Sequence, residues 1–287
     1  DIIRKLPSEQ VEINVNENYQ LFIKCGKAKF NIAAKPTDEF PYLPQIVKEK
    51  HVEISQFTLK DIIRQTVFSI SDNENTKVMT GELKVVSLDG HRISIRNVEL
   101  NNSYDNISVI IPGKTLIEIN KILNGGVDDI VKIYFTDKHI LFEFENTVVL
   151  SRLIEGEYYK IDKMLSSDYE TKITVNKKEM LDSIDRTTLL MKESEKKPVI
   201  IDIKDNSMGL AMNSSIGSMD EEIDAVKEGK DILIGFNPKF LIDALKVIDD
   251  EVIHMYLMNP KAPCFIKDDE GTFIYLILPV NFNAAAN

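Results

Sequence analysis

At 287 residues, with 43% hydrophobic and 28% charged side chains, the chain has the composition of a globular protein and room for two domains of ordinary size, which excludes a disordered or collagen-like polymer. Its 35 basic and 46 acidic residues leave a net charge of −11, the wrong sign for a protein that holds nucleic acid mainly by neutralising phosphates. No apolar run reaches the ~18–20 residues of a membrane span, residues 1–6 lack a signal-peptide core, and Cys25 and Cys264 lie in separate strand-like runs, so the expectation is a cytoplasmic protein with no membrane contact, disulfide, metal or cofactor.

Residues 2–6 resemble the end of a helix, and alternating runs at 11–15, 19–24 and 29–33 predict three strands. A strand at 52–54 leads to Thr58 as N-cap, followed by Leu59, Ile62, Ile63, Thr66, Val67 and Ile70 at helical spacing. Asp89-Gly90 predicts a turn between two strands, with Gly90 supplying backbone freedom and Asp89 a turn hydrogen bond. His91 beside Asp89 also has the makings of an acid–base pair, but no second acid, metal ligand or nucleophile accompanies it, so the turn is the better reading. A strand at 109–112 opens a helix through Leu116, Ile119, Ile122 and Leu123, ended by Asn124-Gly125-Gly126, and strands at 130–135 and 140–144 follow.

From residue 173 the order recurs: a strand at 173–175, Asn176 as cap, Met180, Leu181, Ile184 and Thr188 at helical spacing, a strand at 232–236, a helix through Phe240, Leu241, Ala244, Leu245 and Ile248, then strands at 252–257, 264–266 and 273–278. The period is about 120 residues, which divides the chain into 1–47, 48–168 and 169–287: the back half of one copy and two complete ones. The fold expected is α+β, a tandem of domains each with two helices packed on antiparallel sheet. Aligned at Thr58 and Asn176 the first helices are about 118 residues apart, whereas the second helices are about 125 apart. The shortfall points to a hairpin lost near 81–83 in the middle copy, and the missing front half-copy points to a longer natural chain.

The string Val86-Ser87-Leu88-Asp89-Gly90-His91-Arg92-Ile93, with Ser108-Val109-Ile110-Ile111-Pro112, Leu123-Asn124-Gly125-Gly126, Ile234-Gly235-Phe236-Asn237 and Tyr275-Leu276-Ile277-Leu278-Pro279-Val280, resembles the bacterial sliding-clamp family, the beta subunits of DNA polymerase III. The resemblance spans nearly the whole chain. It implies tandem DNA-clamp domains, a non-catalytic processivity factor, and a ring of two subunits joined head to tail around duplex DNA. A topological link holds DNA without tight phosphate contacts, so an acidic total is compatible with that task. The partners implied are double-stranded DNA, the polymerase III catalytic subunit, a clamp loader driven by ATP, other clients with a Gln-Leu-x-Leu-Phe-like peptide, and a second subunit when the first domain is complete.

By the same resemblance the client groove takes Met79, Leu88, Gly90, His91, Arg92 and Ile93 from the middle copy and Tyr159, Lys163 and Met164 from the linker, where Tyr159 and Lys163 depart from the family's usual proline and arginine. The last copy supplies Asn237, Phe240, Pro263, Leu276, Ile277, Leu278, Pro279 and Val280. Along 275–280 the alternation puts Tyr275, Ile277 and Pro279 on one face and Leu276, Leu278 and Val280 on the other; both are apolar, so a groove-lining face and a doubly buried strand stay equally open. The DNA-facing cations implied are Lys60, Arg64, Lys114, Lys121, Lys178, Arg186, Lys239 and Lys246, with ordinary solvated helix faces as the alternative, and Leu189, Leu190 and Met191 mark either the contact with a second subunit or core packing. The alternatives are a clamp-like peptide-binding scaffold that does not encircle DNA, and an enzyme on duplicated α/β units using Asp89 and His91.

Overall fold

The computed structural model describes residues 2–7, 10–40, 42–44, 46–48, 50–70, 73–79 (backbone only), 81–161, 164–165, 168–191 and 197–282. The chain forms two compact units, residues 1–47 and 48–287. The first is a three-stranded antiparallel meander of β1 (Glu12–Val15), β2 (Gln20–Cys25) and β3 (Ala28–Ala33). The second holds two complete repeats.

In the middle repeat β4 (His51–Ser55) runs into α1 (Gln56–Thr66). Then come β5 (Asn73–Met79), β6 (Glu82–Leu88), β7 (Arg92–Glu99), β8 (Ile107–Pro112), α2 (Gly113–Ile122), β9 (Ile130–Phe135), β10 (His139–Phe144) and β11 (Thr147–Arg152). The last repeat has the same order: β12 (Thr171–Asn176), α3 (Lys177–Thr188), β13 (Val199–Lys204), β14 (Ser207–Asn213), β15 (Ser218–Gly229), β16 (Ile232–Phe236), α4 (Pro238–Leu245), β17 (Val252–Leu257), β18 (Cys264–Lys267) and β19 (Phe273–Ile277).

Two sequence expectations change. The N-cap of α1 is Ser55, whose Oγ accepts the Thr58 N–H at 3.0 Å, so Thr58 belongs to the first turn. The caps Ser55 and Asn176 are then 121 residues apart and Pro112 and Asn237 125 apart, a difference of four. Each repeat places four strands between its helices, so no hairpin is missing near 81–83. The hairpin β5–β6, turned at Gly81 with φ +85°, answers β13–β14, turned at Asp205 with φ +49°. Much of the difference lies in β15, which runs for 12 residues where β7 has 8.

Helix placement follows the buried stripe. Leu59, Ile62, Ile63 and Thr66 recur at helical spacing on α1, and Met180, Ser183, Ile184 and Thr187 on α3. In the last repeat Met180, Ile184, Leu241 and Leu245 pack on Ile173, Ile201, Leu210, Phe236 and Met255, each burial contributing roughly 1.5–3 kcal/mol. Buried Gln56 shows how a polar group is accommodated: its Oε1 accepts the N–H groups of Asn124 and Gly125, and its Nε2 donates to Glu145, which satisfies the loop after α2.

The repeats are joined by strand pairing. A twelve-stranded antiparallel sheet runs β16-β13-β14-β15-β12-β17-β18-β19-β7-β6-β5-β8, and β19 of the last repeat pairs with β7 of the middle one from Phe273↔Arg96 to Ile277↔Arg92. Phe68, just beyond α1, packs against the last repeat's core, and its ring centroid is 5.7 Å from that of Tyr275. Among the described residues no helix is long and apolar enough to cross a membrane.

Candidate client groove

The junction of β7 and β19 brings the predicted site together. The turn before β7 is closed by Asp89, whose Oδ1 accepts the His91 N–H at 3.1 Å, with Gly90 at φ +83°. Asp89 Oδ2 accepts the Arg92 Nε–H at 2.8 Å. Both carboxylate oxygens are thus engaged by the turn itself, and the His91 ring faces Phe240 instead, stacked at 6.0 Å and 29°. The acid–base pairing of Asp89 with His91 therefore does not form.

Arg92 is only 8% exposed. Its guanidinium donates to Asp243 Oδ2 and to the Phe68 carbonyl, each at 2.7 Å, and lies 4.3 Å from the Phe240 ring centroid. Burial alone would lower its pKa, but the hydrogen bonds it donates to Asp243 and Asp89 outweigh that and hold the charge. The cation fastens the middle repeat's turn to α4 and is not left open to a ligand. Beneath it the Tyr275 O–H donates to the Phe240 carbonyl at 2.9 Å, and burial pushes that phenol's pKa up.

The two faces of β19 separate. Tyr275 and Ile277 are fully buried in the last repeat's core, so Ile277 does not line the groove; the inner face is taken by helix and sheet packing. Leu276 is buried on the outer face beside its partner Ile93, in a cluster with Val86, Ile95, Ile161 and Phe265, flanked by half-buried Leu88, Tyr158 and Leu165. Beyond the strand Leu278 and Val280 emerge, 39% and 37% exposed, and the Leu278 N–H donates to the His91 carbonyl at 2.9 Å. Extending the register that pairs Cys264 with Ile277 sets half-buried Pro263 opposite Leu278. Pro279 is half-buried. Asn237 caps α4 by accepting the Lys239 N–H at 3.0 Å. Tyr159 and Met164 are exposed on the linker; Lys163 lies outside the described residues, and Met79 is described only as a position on β5.

The result is an apolar floor of Ile93 and Leu276 flanked by Leu88, with the His91–Phe240 pair and exposed Leu278 at the same seam, a composition suited to an apolar peptide anchor. Phe68, Asp243, Phe265 and Ile161 were absent from the sequence expectation.

Three family models match the chain: the N-terminal domain of the DNA polymerase III beta subunit over residues 1–44, its central domain over 53–160 and its C-terminal domain over 162–281. The chain belongs to the DNA polymerase III beta-subunit family, the bacterial sliding clamps. A beta sliding clamp from Staphylococcus aureus is 35% identical, covering 98% of this chain and 77% of its own length. The crystal structure of the Bacillus subtilis DNA polymerase sliding clamp has a TM-score of 0.90 at 37% identity, covering 98% of this chain and 77% of that one. A chain from Eubacterium rectale assigned as a DNA polymerase III beta subunit reaches 59% identity and a TM-score of 0.91, covering 98% and 79%. Sliding clamps are processivity factors and do no chemistry of their own, which agrees with the absence of an Asp89–His91 pair.

The clamp's helices carry the expected cations in two states. Lys114, Lys178, Lys239 and Lys246 are exposed and make no ion pair among the described residues. The other four are engaged within the protein. Arg64 bonds Asp61 at 2.5 Å, Asp249 at 2.6 Å and the Val247 carbonyl at 2.9 Å, which makes it a strut between the two repeats. Arg186 pairs with Glu221, Lys121 with Glu118, and Lys60 donates to the Leu123 carbonyl. Leu189 is exposed, Leu190 is half-buried and Met191 packs against the last repeat's core.

Proposed function

We propose that the chain acts as a sliding clamp on duplex DNA in the cytoplasm and captures the polymerase III catalytic subunit and other clients through a Gln-Leu-x-Leu-Phe-like peptide seated in the groove described above. The observation that carries this reading is the β19–β7 seam, which pairs Leu276 with Ile93 and bonds the Leu278 N–H to the His91 carbonyl, with exposed Val280 two residues on. The client's leucine and phenylalanine enter the apolar floor, while exposed backbone and His91 fix the peptide's direction. The family supports DNA and polymerase as partners. Four unpaired lysines on the helices support weak, mobile contact with phosphates, since each neutralised phosphate would add salt-sensitive affinity. Pairing with a second subunit through the Leu189 region, and opening by an ATP-driven loader, complete the proposal.

A fluorescent peptide of that pattern, titrated into the protein and into Leu278→Asp, tests it. Micromolar binding that disappears in the variant is expected, because a carboxylate at the mouth would be desolvated by an apolar anchor. Equal binding by both would remove Leu278 from the site and the groove with it.

A further inference from the structure

The two complete repeats close in the same way. After β11 the chain returns to the edge of β8, where the Ile154 N–H donates to the Ile110 carbonyl at 2.9 Å; after β19 it returns to the edge of β16, where the Val280 N–H donates to the Gly235 carbonyl at 2.8 Å. Ile110 and Gly235 hold equivalent places, each two residues before the cap of the repeat's second helix. The side chains at this closure are exchanged between repeats. In the middle repeat the edge strand carries Ile110, nearly buried, and the residue two beyond Ile154 is Gly156. In the last repeat the strand carries Gly235, and the residue two beyond Val280 is Phe282.

The space follows the exchange. A Cβ on Gly235 would lie 2.7 Å from Phe282 Cδ1 and 3.1 Å from the Val280 carbonyl oxygen, whereas one on Gly156 would meet nothing within 4 Å. The Phe282 ring therefore sits where a side chain on β16 would stand. Residues 278–280 are tied at both ends, by Leu278 to the His91 carbonyl in the middle repeat and by Val280 to Gly235 in the last. Leu278 and Val280, the two tied residues, are also the exposed apolar ones.

We infer that Gly235 is a positioning residue for the client groove: its missing side chain lets Phe282 and the Val280 backbone seat on β16, and that seat holds Leu278 and Val280 at the groove mouth. This rests on the proposed reading of the groove. Gly235 has no positive φ, so alanine is compatible with its backbone, and a substitution reports the contact with Phe282 instead of backbone strain.

The test compares wild type, Gly235→Ala, Phe282→Ala, the Gly235→Ala/Phe282→Ala pair and Leu278→Asp by titration with the same fluorescent peptide, together with hydrogen exchange of the Val280 amide. Gly235→Ala is expected to weaken binding about tenfold and to speed Val280 exchange, because overpacking a close contact displaces the segment. Phe282→Ala alone should weaken binding about threefold, because the Val280–Gly235 hydrogen bond then holds the segment without the ring, and the pair should recover to that level, since removing the ring removes the closest clash. Gly235→Ala with wild-type affinity and exchange would overturn the inference, as would a pair that binds no better than Gly235→Ala. Wild-type binding lost in Leu278→Asp but intact in Gly235→Ala would defeat this inference alone; a wild type that binds no peptide would defeat the groove reading and this one together.

Discussion

The middle and last repeats share one plan, yet they start their second helices differently. The α4 helix is entered through Asn237, whose side chain accepts a backbone N–H, with Pro238 preset at the first helical position. The α2 helix is entered through Pro112, which offers no side-chain cap, and then Gly113, where a Cβ would lie 2.6 Å from Ile70 Cδ1. One start is fixed by hydrogen bonding and the other by close packing against the segment after α1. The same topology therefore leaves each repeat free to adapt its helix entry to what lies alongside: in the last repeat, the segment after β19 bonded to Gly235; in the middle repeat, a packed connection.

Five substitutions break or sharpen that comparison. The largest effect is expected at the seam both repeats share, where Arg92→Ala would leave Asp243 and Asp89 without their cation and remove the support under Phe240. A loss of about 3 kcal/mol in chemical denaturation is expected, with weaker peptide binding; a loss confined to binding would mean the cation serves the ligand and not the seam. Next, Asn237→Ala should cost about 1 kcal/mol, whereas Pro112→Ala should stay within about 0.5 kcal/mol, because only the first removes a side-chain cap. Equal losses would erase the distinction between the two helix entries.

The smallest effect concerns acid. In the middle repeat Glu143 is held below the usual carboxylate range by the hydrogen bond from Lys48, and in the last repeat Glu221 is held below it by the hydrogen bond from Arg186. A carboxyl depressed in the folded state contributes stability that is complete above its ordinary pKa and is lost as pH falls through the lowered value. Glu143→Gln and Glu221→Gln should therefore flatten the decline of stability below about pH 4.5, and by little, since both pairs are partly exposed. Unfolding curves across that range that superimpose on the wild type's would show that neither pair contributes.

Much of the fold was legible because the repeat displays its helices and strands twice and in one order. The error at Thr58 came from choosing the cap nearest the apolar stripe; Ser55, at the end of β4, reaches the same amide. That three-residue shift inflated the length difference and suggested a lost hairpin. Of the residues expected in the groove, Leu278 and His91 do meet at the seam, through the Leu278 N–H and the His91 carbonyl. The burial of Ile277 was not legible, because a strand apolar on both faces does not reveal which face meets the core. Phe68 and Asp243 reach Arg92 across 24 and 151 positions of sequence, and the engagement of Arg64 by Asp249 spans 185, distances over which spacing along the chain carries no information. The same limit applies to the helix cations: sequence supplied their sign, and tertiary neighbours decided which remain exposed.

The seam between β7 and β19 also sets a timetable for synthesis. The two strands lie about 180 residues apart, so β7 leaves the ribosome long before the strand that will cover its edge exists. Until then Ile93 and Ile95 stand on an open edge, the condition under which nascent chains pair with the wrong neighbour. Pairing of β19 with β7 thus covers that edge and ends the interval in which the half-made protein is most prone to aggregate.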